Sequence, residues 1–313
     1  KEISRQAGIR VFPLSVGPGS NAPPLITLDV DHVPFWTAME KVCKITRTHP
    51  QFNGSNDILL MQGGPGVWDL EGRFAFIPTE IHHNSTIDLI NRGASKIDTF
   101  TLIALVDPKY HSASFDQARL AVAEDENGTS LLSRDSNRMG FWNPGFSQSW
   151  VFVSTVPLSF PETFGRRLAK VQGTMEIRLP MSVDTLKIPD LVQAVGTASV
   201  AGKYKVDVVT CSFDGKDAVH VHLQITKLTL GPSTVPGGIF QEFQSARVVD
   251  STGMQLLPSG VGGGSDMQYD WQGQFIGNGR QPKPPFSLRW ETISKVESVT
   301  VPFKFTNLPL PPE

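Results

Sequence analysis

Apolar and polar residues alternate strictly in several stretches of the chain. Phe100, Leu102, Ala104 and Val106 alternate with Thr99 and Thr101; Met175, Ile177 and Leu179 with Glu176 and Arg178. Val219, Val221, Leu223 and Ile225 alternate with His220, His222 and Gln224, and Val299, Val301, Phe303 and Phe305 with Thr300 and Lys304. Neighbouring side chains of a strand point to opposite faces, so each run predicts a strand with one dry and one wet face. From Phe74 onward no helical repeat interrupts this rhythm, apart from a turn-like stretch at Pro189 to Val195. The N-terminal part reads differently. Phe35, Ala38, Met39, Val42 and Cys43 fall at helical spacing behind Pro34, with Glu40, Lys41 and Lys44 turned away, which predicts an amphipathic helix. Ile26, Leu28 and Val30 predict a strand before it, Ile58 to Met61 a strand after it, and Asn53-Gly54 a turn between. Lys1 to Ala7 reads as the last turns of a helix closed by Gly8. The chain is therefore expected to be a processed or truncated product whose missing start includes a signal segment.

An internal duplication organises the rest. "AVAEDENGTSLL" at Ala121 to Leu132 and "ARVVDSTGMQLL" at Ala246 to Leu257 share A-x-x-x-D-x-x-G-x-x-L-L at a spacing of 125 residues. "MEIRLPMSVDTLKIP" from Met175 matches "LRWETISKVESVTVP" from Leu288 at a spacing of 113. Asp followed three residues later by Gly suits a type I turn, so Asp125 to Gly128 and Asp250 to Gly253 are expected to be one hairpin turn built twice. The expected organisation is a small α/β domain over 1–66, one β-sandwich over 67–195 and a second over 196–313. Gly63-Gly64-Pro65-Gly66 would serve as the linker. The fold class expected is mostly β, with two tandem Ig-like antiparallel sandwiches after the α/β domain.

The segments "RQAGIRV", "ITLDVDHVPF" and "WTAMEKVCKIT" followed by "NDILLM" together resemble the short N-terminal domain of secretins and TonB receptors. Ala38-Met39 stands where that family carries Ala-Leu, and Thr46-Arg47 where it carries Thr-Gly. The remainder resembles exported proteins of planctomycete type. These resemblances imply export to a bacterial periplasm or cell surface but no activity; a protein partner in the envelope is expected because domains of this size and sheet type mostly present edges and loops to partners.

Length, 313 residues, favours several domains, and 28 Gly with 24 Pro suits a turn-rich β chain. A net charge of -2 supplies no reason to bind nucleic acid or an anionic membrane, and no stretch is apolar enough to span a bilayer. Two cysteines, Cys43 and Cys211, are too few for a disulfide framework and are expected to be buried free thiols. His220 and His222 share one strand face, as a metal site on a sheet requires, although the third and fourth ligands are missing. A solvated polar face is the simpler account. His82-His83, on a strand, point to opposite faces, and Asp29 with Asp31 read as outward and solvated. Gly262 to Gly264 read as a flexible loop. No nucleophile elbow, zinc-protease helix, P-loop or dinucleotide fingerprint is present, so neither enzymatic activity nor a cofactor is expected. Met139, Phe141, Trp142, Phe146 and Trp150 crowd a Pro/Gly-interrupted stretch, the composition of a docking or sugar-stacking surface. The expectation is a non-catalytic exported binding or assembly protein acting through protein contacts. A carbohydrate-binding protein with Trp142 as its platform is the first alternative, a metal-dependent hydrolase around His220 and His222 the second.

Overall fold

A computed structural model of the chain describes residues 11–13, 33–53, 57–64, 66–88, 93–110, 113–133, 150–216, 218–229, 238–243, 245–265, 267–277 and 281–311. The protein is mostly β. Its contacts divide it into two units, one formed by residues 1–179 with 298–313 and the other by 180–297.

The first unit begins with β1 (Val11–Pro13), α1 (Phe35–Thr46), β2 (Thr48–Asn53) and β3 (Asp57–Gln62). Proline at the head of α1 sacrifices no intrahelical bond, and the helix ends at Arg47 in the left-handed conformation, whose amide donates to the Cys43 carbonyl. Trp36, Ala38, Met39, Val42 and Cys43 form its buried face, which is the expected stripe with Trp36 in place of the half-buried Phe35. β3 lies between β1, its parallel neighbour, and β2, its antiparallel one. The expected strand over 26–30 and the helical turn before Gly8 lie outside the described residues.

A four-stranded sheet follows, in the order β4 (Asp69–Glu71), β5 (Phe74–Asp88), β6 (Gly93–Val106) and β9 (Val151–Pro157). β7 (Ser114–Phe115) and β8 (Arg119–Asp125) both pair with the first half of β10 (Arg167–Ile188). The alternation of β6 is realised as read, with Phe100, Leu102, Ala104 and Val106 fully buried. The Gly63 to Gly66 stretch does not separate two cores. Trp36 packs 5.4 Å from Trp150 and 6.5 Å from Trp68, and one apolar cluster runs from α1 into the sheets. That cluster also takes in Val301, Phe303, Phe305, Leu308 and Leu310 from the far end of the chain.

The second unit contains β11 (Ala198–Ala201), β12 (Tyr204–Phe213), β13 (Ala218–Lys227), a short helix α2 (Gly238–Phe243), β14 (Arg247–Val249), β15 (Gln255–Gly264), β16 (Gln268–Ile276) and the first half of β17 (Ser287–Pro309). Its strands run in the order β11-β12-β13-β16-β15-β14-β17. Val219, Val221, Leu223 and Ile225 bury the dry face around Trp271 and Trp290. The chain passes from the first unit into the second within β10, after Leu179, and returns within β17, after Glu297. These boundaries replace those expected at 66 and 195, because the second half of the last strand joins the first core while its first half stays in the second.

The duplicated turn is built twice from the same bonds. Asp125 Oδ1 accepts from the amides of Asn127 (2.9 Å) and Thr129 (2.7 Å), and Oδ2 from Gly165 (2.6 Å). Asp250 Oδ1 accepts from Thr252 (2.8 Å) and Met254 (2.9 Å), and Oδ2 from Lys283 (2.9 Å). Gly128 and Gly253 donate to the Asp125 and Asp250 carbonyls at 3.1 Å, with φ of 80° and 85°, where a Cβ would be strained. Burial opposes ionisation of Asp125, but the amides of Gly165, Thr129 and Asn127 outweigh it and hold the carboxyl below its ordinary range. Burial likewise opposes ionisation of Asp250, which the Thr252 hydroxyl and the amides of Lys283, Met254 and Thr252 hold low. On the strands that follow, Lys170 pairs beside Glu124 and Ser287 beside Val249, so the copies lie 117 residues apart there and not 113.

The expected glycine loop is strand. Gly260, Gly262 and Gly264 pair with Gly273, Trp271 and Tyr269 of β16. A Cβ at Gly262 would fall 2.1 Å from the Tyr269 hydroxyl, and one at Gly273 2.8 Å from the Trp271 ring. Two buried aromatic rings lie where side chains would otherwise stand, which is the physical reason for glycine here. α2 is a further departure from the all-strand expectation. Its Glu242 pairs with Lys203 at 2.9 Å, and its Glu242 carbonyl accepts from the Trp290 indole at 2.9 Å.

The corners and the glycines can each be tested by substitution. Asp125→Ala and Asp250→Ala should each destabilise the protein at pH 7 by roughly 1–3 kcal/mol per stranded amide. Because both carboxyls titrate lower folded than unfolded, their stabilisation is complete above an unfolded value of about 3.9 and fades as pH falls through the lower folded values. Urea midpoints at pH 7 and pH 3 should therefore differ less in either variant than in the unmodified chain. Gly262→Ala should cost about 1–3 kcal/mol by overpacking against Tyr269. Gly263→Ala, whose Cβ would meet nothing within 4 Å, should be close to neutral in the same measurement.

Candidate functional site

The broadest display of polar chemistry is the wet face of the second unit's sheet. The alternation that buries Val219, Val221, Leu223 and Ile225 turns His220, His222 and Gln224 outward. Thr210 and Ser212 of β12 stand directly across from His222 and His220, and Gln272 and Gln274 of β16 flank them on the other side. His222 Nε2 lies 2.9 Å from Asp270 Oδ1, while His220 Nε2 lies 4.0 Å from Asp214. The two imidazoles thus engage different carboxylates. Among the described residues no three His, Cys, Asp or Glu side chains converge to hold a metal ion.

Ser212, His220 and Asp214 share the composition of a nucleophilic triad but not its geometry. Asp214 is beyond hydrogen-bond reach of an imidazole that is 51% exposed, where water competes for every proton. The Lys216 amide holds Asp214 below its ordinary range, so its carboxylate serves the local turn.

His82 and His83 point to opposite faces, as expected of strand neighbours. His82 faces Glu80 at 3.3 Å on the outside. His83 turns inward, with Nδ1 2.7 Å from Asp98 Oδ1 and its ring 4.7 Å from that of Phe160. Asp98 is itself buried and accepts from the Phe160 amide at 3.1 Å. Sequence reasoning misses this pair. A lone aspartate that follows a histidine by 15 residues does not mark a contact made across two strands, and the hairpin register would have been needed to find it.

Met139, Phe141, Trp142 and Phe146 lie outside the described residues, as do Asp29 and Asp31. Trp150, the last aromatic of that stretch, is 1% exposed and sits between Trp36 and Phe52. It is core, not a surface platform. No protein-family model, curated protein or solved structure matches the chain.

The thiols complete the inventory of nucleophiles. Burial, with Glu40 adding to it against a hydrogen bond from Thr48, pushes the Cys43 thiol up to about 11. Burial and the Asp190 charge do the same for Cys211, which is half-buried where full burial was expected. Both are free and protonated near neutrality. Iodoacetamide at pH 8 should therefore label neither at the rate of an ordinary thiol until urea unfolds the chain, as mass spectrometry of the intact protein will register.

Proposed function

We propose that the protein is a non-catalytic binding or assembly component exported to a bacterial envelope, working through contacts with another protein. The observation that carries this reading is where the buried polar chemistry is engaged. Asp125, Asp250 and Asp98 each hold backbone amides, and Glu242 holds Lys203, so these groups maintain architecture and do not converge on a substrate cleft. What faces solvent is sheet: polar strips such as that around His222, and exposed aliphatics such as Val153 and Val200. Surfaces of this kind recognise proteins by strand edges and flat packing. In this reading the sheets belong to Ig-like sandwiches, and the N-terminal segment around α1 is a relative of the short secretin and TonB-receptor domain, which supports the periplasm or cell surface as its place.

The aromatic stretch from Met139 to Phe146 enters as the partner-binding segment on its composition alone. The carbohydrate alternative loses Trp150, the aromatic of that stretch that lies in the core. Affinity capture from envelope extract with the intact chain and with a Phe141→Ala, Trp142→Ala double variant tests the reading. A defined partner retained by the first and lost by the second is the expected result. Equal retention would remove the aromatic segment from the reading, and no partner with either chain would overturn it.

A further inference from the structure

Among the described residues, no strand pairs with the outer side of β15 beyond Leu256. Its neighbour β14 reaches only Gln255 and Leu256, while β16 pairs with every residue from Leu257 to Gly264. The Ser265 amide donates to the Gln268 carbonyl at 2.8 Å, and the pairing is regular from there back along the strand. In an antiparallel ladder, bonded and non-bonded pairs alternate, so Ser259, Val261 and Gly263 bond to β16. Gly260, Gly262 and Gly264 aim their N–H and C=O groups the other way. No backbone group of the described chain answers them. Ser259 to Ser265 are all exposed, and Val261 is 79% exposed.

Exposed edges are ordinarily blunted by lysine, proline, a bulge or extreme shortness. Ser259 to Ser265 carry no charge and no proline, and no bulge interrupts their pairing. Pro258, which would be the next outward residue, has no N–H and closes the edge at that end. All three outward residues lack a Cβ, so an approaching backbone meets nothing in its way.

We propose that this edge pairs with the same edge of a second copy of the chain, antiparallel and centred on Gly262. The segment Ser-Gly-Val-Gly-Gly-Gly-Ser matches itself when turned end over end. Ser259 then faces Ser265, Gly260 faces Gly264, Gly262 faces its twin, and Val261 faces Gly263, so that the one bulky side chain meets a residue with none. The three outward glycines of each copy exchange about six main-chain hydrogen bonds across a twofold axis. An unrelated peptide would receive the same bonds but no side-chain selection, because three glycines offer none; self-match is what makes this edge specific. This goes beyond the envelope-partner reading and stands independently of it, since it concerns the purified chain alone.

Sedimentation velocity of the full chain over a concentration series tests it, with Val261→Lys and Val261→Glu as variants. Val261 is solvent-facing, so both should melt like the unmodified protein. Across the twofold axis the two copies of residue 261 lie diagonally, within reach of long side chains, and like charges there repel. The unmodified chain should dimerise, each variant alone should dimerise at least about tenfold more weakly, and an equimolar mixture of the two should recover the dimer. A chain that stays monomeric at every concentration overturns the proposal. So does a dimer that neither variant weakens, which would place the interface elsewhere.

Discussion

A buried carboxylate that accepts three backbone amides sets each of the two principal corners of this protein. A charge in an apolar interior is costly unless hydrogen bonds replace its lost water. Asp125 and Asp250 meet that condition chiefly with main-chain amides, the Thr252 hydroxyl adding a bond to Asp250, and no lysine or arginine is required. Two of the three amides come from the turn itself, and the third from a segment 40 residues away in one copy and 33 in the other. Each carboxylate therefore fastens a hairpin to the start of a long strand, β10 or β17. The strand registers on either side, Asp125 beside Leu168 and Val249 beside Ser287, extend outward from those fixed points.

The long strands then carry the chain between cores. β10 leaves the first unit midway, and β17 brings the chain back, so residues 180–297 form a continuous insertion and the final strand completes what the first half began. Phe303 lies 5.2 Å from Phe76, and a Cβ at Gly173 would strike the Phe303 ring at 2.5 Å. The first core thus has a slot shaped for a residue over a hundred positions away in sequence. Contacts of such separation carry a loop-closure cost before they return any stabilisation, so the inserted unit can form from local contacts while the first waits for the C-terminal strand.

This arrangement explains which features could be read in the sequence. Alternation reports the face of a strand and does so well: the dry residues of β6, β10, β13 and β17 are buried as the pattern implies, apart from the half-buried Val299. It is silent on which core a face joins, so neither the crossing of β10 and β17 nor the unit boundaries that follow from it can be read from the pattern. The duplicated turn was legible because Asp and Gly are fixed by local geometry. The strand match was misaligned by four residues, an even number, which keeps every side chain on its proper face and leaves no hydropathy signal of the error. α2 is too short for a helical repeat to register. The spacing of His220 and His222 puts them on one face, but their separate partners, Asp214 and Asp270, depend on pairings that spacing does not encode.

The glycine run shows the same limit from the other side. Glycine has no side chain and therefore no periodicity, and three in succession read as a loop; the informative pattern is in β16, where Tyr269, Trp271 and Gly273 alternate with polar residues. Those rings need bare backbone opposite them, and the bare backbone is what leaves the edge of β15 open. Elsewhere the end strands are managed: β1 and β4 have three residues and β11 four, β2 carries Pro50, and on β9 the Thr155 carbonyl accepts from the Gln117 side chain. On β15 the stretch Ser259 to Ser265 carries none of these devices. A strand edge that is exposed, uncharged and self-matching has the form expected of a surface kept for pairing rather than of one left over from folding.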